Sequence, residues 1–553
     1  MPFANCIALI VSIGAPWLSP LTFGPSAAVA PWLISLASVA CVATNSNSIA
    51  LIGTLNKSLL SYLGLLALTF AALGIRVDAY IELVTTMIAC SSVPVIAMWT
   101  ANRLNYDQRI SFFLMKIWLV VAYLSCGFAG LQYLSLAQLF EPWISSSGEA
   151  VAYANMRQRN QFASLCSIGF ICVLFLHQNA SLTRHHNIVR QTRASVLAWL
   201  GLVALAVGNS LSSSRTGAVQ WALIIAAVMC WRSSMRADVR RLAYGGFAIY
   251  ALMLALMPWF AQWVGNSNTG LLGRAQELAT TSGGRMALYS NVIDLIAMKP
   301  WFGWGWRELA YAHYSTHFDV RFIELLDNAH NLPLHLAVEL GVPFAVLFCG
   351  AVLWWVVRSA PWRETDPTRQ LAWGILMLIG VHSMVEYPLW YGPFLMTLGI
   401  CVGMLQRPKK EQNSAVVQVF IAPIAIKVIA VALLCITAYL AFDYHRVSQI
   451  YLSEEDRSAL YRDDVMGAAK RSVVFKKHAQ FAELVTTPVT PQTAPHVLEL
   501  ALKLVHFSPE PRVIEPLIES ATMLHFDDIA MFHLERYKAM YPKDYAAWSA
   551  IKK

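Results

Sequence analysis

Charge is what this sequence has least of. Only 13% of its 553 residues are Asp, Glu, Lys or Arg, about half the share in a soluble domain. Meanwhile 57% are hydrophobic and the mean hydropathy is +0.51. That scarcity excludes an ordinary cytosolic enzyme, a disordered chain and a collagen-like fibre. Polar alternation inside the apolar runs is missing as well, which disfavours a transmembrane barrel. The chain has no Gly-x-x-x-x-Gly-Lys phosphate loop, and hence no expected ATP or GTP site, and no Gly-x-Ser-x-Gly nucleophile elbow. His313 and His317 have the spacing of a metal pair, but the Glu of a zinc-protease pattern does not follow. All ten cysteines fall in apolar segments and none in the C-terminal stretch, so no disulfide framework is indicated. The start lacks a basic n-region, so the first apolar run is expected to stay as an anchor.

What is there reads as an all-α, polytopic membrane protein. A bilayer core takes roughly 20 apolar residues per helix, and by that ruler about thirteen spans are expected. They cover 3–19, 26–43, 58–75, 79–99, 111–133, 160–177, 195–212, 216–231, 242–264, 332–357, 371–387, 389–405 and 416–442. Basic residues collect behind the even-numbered spans from the fourth onward: Arg103 and Arg109; Arg184, Arg190 and Arg193; Arg232, Arg236, Arg240 and Arg241; Arg358, Arg363 and Arg369; Arg407, Lys409 and Lys410. The positive-inside rule makes those loops and the amino terminus cytoplasmic, and puts the opposite face outside.

Four zones follow: spans one to nine over 1–264, a long outer loop over 265–331, spans ten to thirteen over 332–442, and a tail over 443–553. A loop that long is uncommon without a function. The tail carries 14 basic and 15 acidic residues, so the net charge of +9 belongs to the membrane part, and nothing supports nucleic-acid binding. Apolar residues at helical spacing over Ala494–Val505 and Val513–Met523 predict a small helical domain.

The informative residues are those that break the charge rule. Arg157, Arg159, Arg215, Arg274, Arg285 and Arg307 map to the outer face. An ionisable group beside hydrocarbon is costly and usually has a partner or a task. Arginine suits a diphosphate, because it is always charged and its fork grips oxygens bidentately. Arg215, in a turn between two spans, and Arg285, after Gly283-Gly284, are the strongest candidates; the bland alternative is snorkelling at the interface. A second cluster, Asp327-Asn328-Ala329-His330-Asn331, opens the tenth span. His330 there could act as a general base, with Asp327 or Asn331 orienting its ring, or could simply lie in a helix cap. Third, His382 and Glu386 stand four residues apart on the eleventh helix, as a buried clamp would. Tyr387 beside them is either a substrate contact or a belt aromatic.

The ordered series Gln-Arg-Asn-Gln (158–161), Ser-Arg-Thr-Gly (214–217), Gly-Gly-Arg (283–285), Lys-Pro-Trp-Phe-Gly-Trp-Gly (299–305), Asn-Ala-His-Asn (328–331) and His-Ser-x-x-Glu-Tyr-Pro-Leu-Trp-Tyr (382–391) resembles the O-antigen ligase and polymerase superfamily. Within it the chain looks most like bacterial protein O-oligosaccharyltransferases of the PglL type. The resemblance implies a GT-C-like inner-membrane enzyme with a periplasmic active face. Such an enzyme moves a preassembled glycan from undecaprenyl diphosphate to a Ser or Thr hydroxyl of an exported protein such as pilin. It implies His330 as the essential histidine, Arg215 and Arg285 as diphosphate-binding arginines, and Gln158, Arg157, Asn331 and Tyr387 as substrate-binding positions, with neither metal nor cofactor. Alternatives are a ligase or polymerase acting on lipid A core or glycan and, from another class, a lipid-linked sugar transporter.

The shared pocket requires one sidedness. Reporter fusions after Ser214, Gly284 and Ala329 are expected to read periplasmic in all three cases, and a single cytoplasmic reading would leave the arginines and the histidine unable to meet.

Overall fold

The computed structural model describes residues 3–20, 24–44, 51–55, 64–65, 68–69, 80–106, 109–146, 152–180, 188–265, 283–406, 417–421 and 423–551. The third apolar segment, 58–75, lies for the most part outside the described residues, as do Arg184, Arg274, Arg407, Lys409 and Lys410.

In hydrocarbon every backbone polar group must be satisfied within its own segment, which is why the apolar runs are helices. The first half of the chain forms α1 (Phe3–Leu18), α2 (Val29–Thr44), α3 (Tyr80–Tyr106), α4 (Arg109–Tyr133), α5 (Arg159–Ala180), α6 (Ile188–Leu211), α7 (Arg215–Cys230) and α8 (Ala237–Val264). Then come α9 (Gly283–Met298), α10 (Leu309–Ser315), α11 (Leu332–Leu340), α12 (Val342–Ser359), α13 (Pro367–Ser383), α14 (Gly392–Leu405) and α15 (Pro423–Ser448). A short antiparallel ribbon, β1 (Leu51–Leu55) with β2 (Val417–Ile421), is the exception to helix among the described residues.

Seven helices among the described residues are long and apolar enough to cross a membrane, and four shorter apolar ones accompany them. The chain is therefore a multi-pass membrane protein. At its centre α5 is almost wholly enclosed, with α4, α6, α7 and α13 packed around it. Aromatic rings fill this core, where Trp221 lies between Phe170 (4.3 Å) and Tyr250 (4.5 Å).

The structure changes the expected layout in two places. The run 332–357, expected as one span, is two helices. Gly341 breaks it with φ +90°, and the following Val342-Pro343 disfavours helical continuation. Segment 300–305 fills the break: Val342 N donates to Pro300 O (2.7 Å), Trp304 N to Val338 O (2.8 Å) and Gly305 N to Glu339 O (3.0 Å). A side chain at 341 would collide with the Trp301 carbonyl, so the approach demands glycine. The long loop, in turn, is not structureless. Its helices α9 and α10 share a small core with the start of α11, built from Leu288, Val292, Leu295, Leu309, Phe318 and Ala329. Within it His313 is buried as a core residue, with Nε2 3.2 Å from Asn291 Oδ1.

The tail consists of α16 (Val465–Lys470), α17 (Lys476–Thr486), α18 (Ala494–Leu504), α19 (Pro511–Met523), α20 (Asp527–Met540) and α21 (Pro542–Ile551). Its core of Val497, Leu500, Leu504, Val513, Leu517 and Tyr537 also takes in Tyr314 from α10. The Tyr314 hydroxyl lies 2.9 Å from His533 Nδ1, Arg536 Nε donates to Ser315 O (3.2 Å), and His506 reaches Glu308 at 2.8 Å. The tail thus grips the long loop.

Burial, helped by the charges of Arg536 and His506, pushes His533 down to about 4. The unfolded chain takes up a proton near the ordinary histidine value of about 6.5, while the folded chain does not until about pH 4. The grip is therefore fully stable above pH 6.5 and weakens as pH falls from there toward 4. Thermal melts of the full chain in detergent between pH 7.5 and 4.5 should show the loss, and His533→Gln should make it shallower; an identical slope in the variant would remove His533 as its source.

Candidate active site

The site is assembled from turns at the ends of five helices. Gln158 precedes α5, and its Oε1 accepts from Gln161 N (2.7 Å), which makes it the cap of that helix. One turn of α5 then carries Asn160 and Ser164 inward. Ser214 caps α7, its Oγ accepting from Gly217 N at 3.1 Å. The same hydroxyl donates to Asn160 Oδ1 (2.6 Å), and Arg215, the next residue, is thrown outward and exposed.

His330 has a left-handed backbone with φ +50°, a conformation few non-glycine residues adopt. Asn328 supports it by accepting the His330 N–H at 2.9 Å. Asn331 then caps α11 through Leu334 N (3.1 Å) and donates to Met384 O (3.0 Å). That last bond ties the histidine loop to the turn after α13, where Glu386 sits.

Glu386 is the centre of the cluster. Its Oε2 lies 2.9 Å from His330 Nδ1, and its Oε1 accepts from Asn160 Nδ2 at 2.9 Å with Arg285 Nη2 3.9 Å away. The carboxylate is only 10% exposed, whereas Arg285 is 47% and His330 31% exposed. Burial pushes the Glu386 carboxyl up, but the hydrogen bond and charge of His330, with His382 and Arg285, outweigh it and hold the group below the usual carboxylate range. Arg215 and Arg285 are near enough for their like charges to interact. The Tyr387 ring stands edge-on to His330 with centroids 5.3 Å apart, and stacks on Tyr391 at 6.2 Å.

The expected His382–Glu386 clamp does not form. The helix ends at Ser383, and although Glu386 N still donates to His382 O at 2.9 Å, the acid's side chain goes to His330 and Asn160. His382 Nδ1 instead faces Ser164 Oγ (2.9 Å), which also accepts from Gln220 Nε2 (2.8 Å). Of the residues singled out from sequence, His330, Arg285, Arg215 and Tyr387 come together. Gln158 and Asn331 spend their side chains on capping at the edge of the cluster, and Arg157 turns toward α1, donating to Pro20 O at 3.3 Å. Glu386, Asn160 and Ser214 were not assigned to the site from sequence, although each lies within or beside a motif noted there. Among the described residues no group of three or more His, Cys, Asp or Glu converges as a metal site.

Comparison with known proteins follows the same geometry. Residues 152–177 match a family model described as protein glycosylation ligase, 200–349 match O-antigen ligase, and 370–553 match the C-terminal part of virulence factor membrane-bound polymerase. The chain is similar to the O-antigen ligase, protein glycosylation ligase and membrane-bound polymerase families over these segments. Each matched segment supplies part of the cluster: Asn160 from the first, Arg215, Arg285 and His330 from the second, Glu386 and Tyr387 from the third. Two Acinetobacter baylyi relatives are named as O-oligosaccharyltransferases. A general O-oligosaccharyltransferase is 22% identical over 470 residues, 82% of this chain and 79% of the relative. A ComP-specific O-oligosaccharyltransferase is 22% identical over 305 residues, 55% of this chain and 53% of its own length. No solved structure matches the chain.

The geometry makes Glu386 the residue that orients the imidazole. Glu386→Gln keeps the shape and removes the charge, and should lower glycan transfer about 100-fold or more while the protein still inserts and elutes as wild type. Transfer within threefold of wild type would show that the 2.9 Å contact is not used.

Proposed function

We propose that this chain transfers a preassembled glycan en bloc from undecaprenyl diphosphate to Ser or Thr hydroxyls of exported proteins, pilin among them, on the periplasmic face of the bacterial inner membrane. One observation carries the reading. An imidazole held by a buried carboxylate stands within one cluster with two outward arginines, all at helix ends (Glu386–His330 2.9 Å, Glu386–Arg285 3.9 Å).

With its Nδ1 proton donated to Glu386, the His330 ring presents Nε2 as an acceptor. The acceptor hydroxyl gives its proton to that nitrogen as its oxygen attacks the anomeric carbon of the first sugar. The bond from that carbon to the diphosphate oxygen breaks, and the lipid diphosphate leaves with the electron pair. Arg215 and Arg285 offset the charge that grows on it, which is electrostatic stabilisation by fixed cations. A single displacement is the simplest scheme. No nucleotide enters, because the energy lies in the donor's own diphosphate bond. The protein glycosylation ligase match, with the O-oligosaccharyltransferase names of the two relatives, favours a protein acceptor, while the O-antigen ligase and polymerase matches keep a glycan or lipid A core acceptor as the second reading.

Mass spectrometry of periplasmic proteins, from cells co-expressing the chain with a lipid-linked glycan pathway, separates the two. Glycan is expected on Ser or Thr of exported proteins, and His330→Ala should abolish it without loss of the membrane-inserted chain. Glycan confined to lipid A core would sink the protein-directed reading, and near-normal transfer by His330→Ala would remove that residue from the chemistry.

A further inference from the structure

We propose that His382 is a positioning residue for transfer: from a fully buried row of hydrogen bonds behind the site it holds Glu386 in place, and through Glu386 the ring of His330, as a hydrogen-bond acceptor that carries no proton of the reaction. The inference rests on the roles proposed above for His330 and its carboxylate.

Two parallel rows of hydrogen bonds join α5, α7 and α13. The outer row is the site's own: Ser214 Oγ donates to Asn160 Oδ1 (2.6 Å), and Asn160 Nδ2 to Glu386 Oε1 (2.9 Å). The inner row repeats that order with other residues. Gln220 Nε2 donates to Ser164 Oγ (2.8 Å), which lies 2.9 Å from His382 Nδ1. Asn160 and Ser164 are four apart on α5 and share a face, while Glu386 N donates to His382 O at 2.9 Å. The inner row therefore follows the outer one at a single helical turn, about 5.4 Å along α5. Ser164, Gln220 and His382 are all at most 1% exposed.

Hydrogen-bonding capacity fixes the direction of the inner row. Gln220 Nε2 also donates to Leu378 O (3.1 Å), which sets the end of the amide that is nitrogen. With that donor on its oxygen, the Ser164 hydroxyl sends its own proton to His382 Nδ1, the one acceptor it faces among the described residues. The ring is then neutral and keeps its proton on Nε2, which has no hydrogen-bond partner among the described residues. An imidazole so placed is costly, and what it supplies is the bond at Nδ1. That bond matters to Glu386 because α13 ends at Ser383, and the turn that carries the acid hangs from the His382 carbonyl. Released from Ser164, the end of α13 is free to shift along α5, and the carboxylate leaves Asn160 and His330 together.

The test uses the full-length protein in lipid nanodiscs, an undecaprenyl-diphosphate-linked oligosaccharide as donor and pilin as acceptor, with rates taken per mole of inserted, monodisperse protein. His382→Leu, and Ser164→Ala as a smaller cut in the same row, should lower kcat at least tenfold and change the donor KM less than twofold. His382→Asn, whose amide oxygen accepts in the place of Nδ1 and does not titrate, should stay within threefold of wild type. In a Glu386→Gln background, Ser164→Ala should cost less than a further twofold. A kcat within threefold of wild type in Ser164→Ala, a tenfold loss in His382→Asn, or losses that multiply with Glu386→Gln would each overturn the positioning role alone. Wild-type protein that transfers nothing, or His330→Ala that transfers normally, would overturn the proposed function and this role with it.

Discussion

A carboxylate withdrawn from water at the edge of a membrane is costly unless every oxygen finds a donor or a cation, and Glu386 meets that demand with partners from three regions of the chain. Oε2 faces His330; Oε1 takes Asn160, with Arg285 beyond it. Each partner is fixed in turn. Ser214 holds Asn160 while capping the helix that opens with Arg215. Asn328 sets the backbone of His330, and Asn331 ties that loop to Met384, two residues before the acid itself. Satisfying one buried acid thus aligns the ends of α5, α7, α9, α11 and α13. It is the condition on which the arginines and the imidazole share a face.

The charge balance of the cluster follows from the same arrangement. Glu386, the buried acid, is set against two guanidiniums, while the exposed Asp327 lies within electrostatic reach of Tyr387 and Tyr391. Arg285 is half exposed and only loosely paired at 3.9 Å, and Arg215 is exposed and feels the charge of Arg285. Both arginines therefore face outward, with the Glu386 charge behind them. A structural salt bridge would bury both partners at short range. An anion arriving between the arginines would relieve their repulsion, as the proposed diphosphate would.

Much of the fold was legible because the bilayer imposes a simple rule, that a run of apolar residues becomes a helix. Most of the helices match the hydropathy reading closely, Phe3–Leu18, Arg109–Tyr133 and Gly392–Leu405 among them. The break at Gly341 was not legible, since a hydropathy window averages over the one residue whose backbone geometry decides it. The misplaced arginines and His330 were readable as residues of the wrong type for their surroundings. Their partner was not. Spacing of four put Glu386 with His382, and the backbone does keep a bond between them, but the two side chains take other partners, Glu386 with His330 and Asn160 and His382 with Ser164. The pairing with His330 spans 56 positions, and no local periodicity encodes it. Gln158 and Asn331 stand beside the candidate residues and cap helices, a task that uses the same amide as binding would, so sequence cannot tell the two apart.

The tail gains its meaning from where it holds the chain. Arg285 and His330 lie at opposite ends of one loop, and that loop has its own core through Leu288, Leu309, Phe318 and Ala329. A core this small is marginal alone, yet it must keep two side chains in register with Glu386. Tyr314, at the middle of the loop, is buried in the tail's core instead, with His533, Arg536 and His506 around α10. The far end of the tail is secured too: Asp443 near the end of α15 binds Ser472 Oγ and Val474 N at 2.8 and 2.9 Å. Force on the loop is therefore carried through the tail into a membrane-spanning helix. A helical domain with no titratable group in the cluster can in this way brace the geometry of the cluster, by holding a segment that hydrocarbon does not constrain.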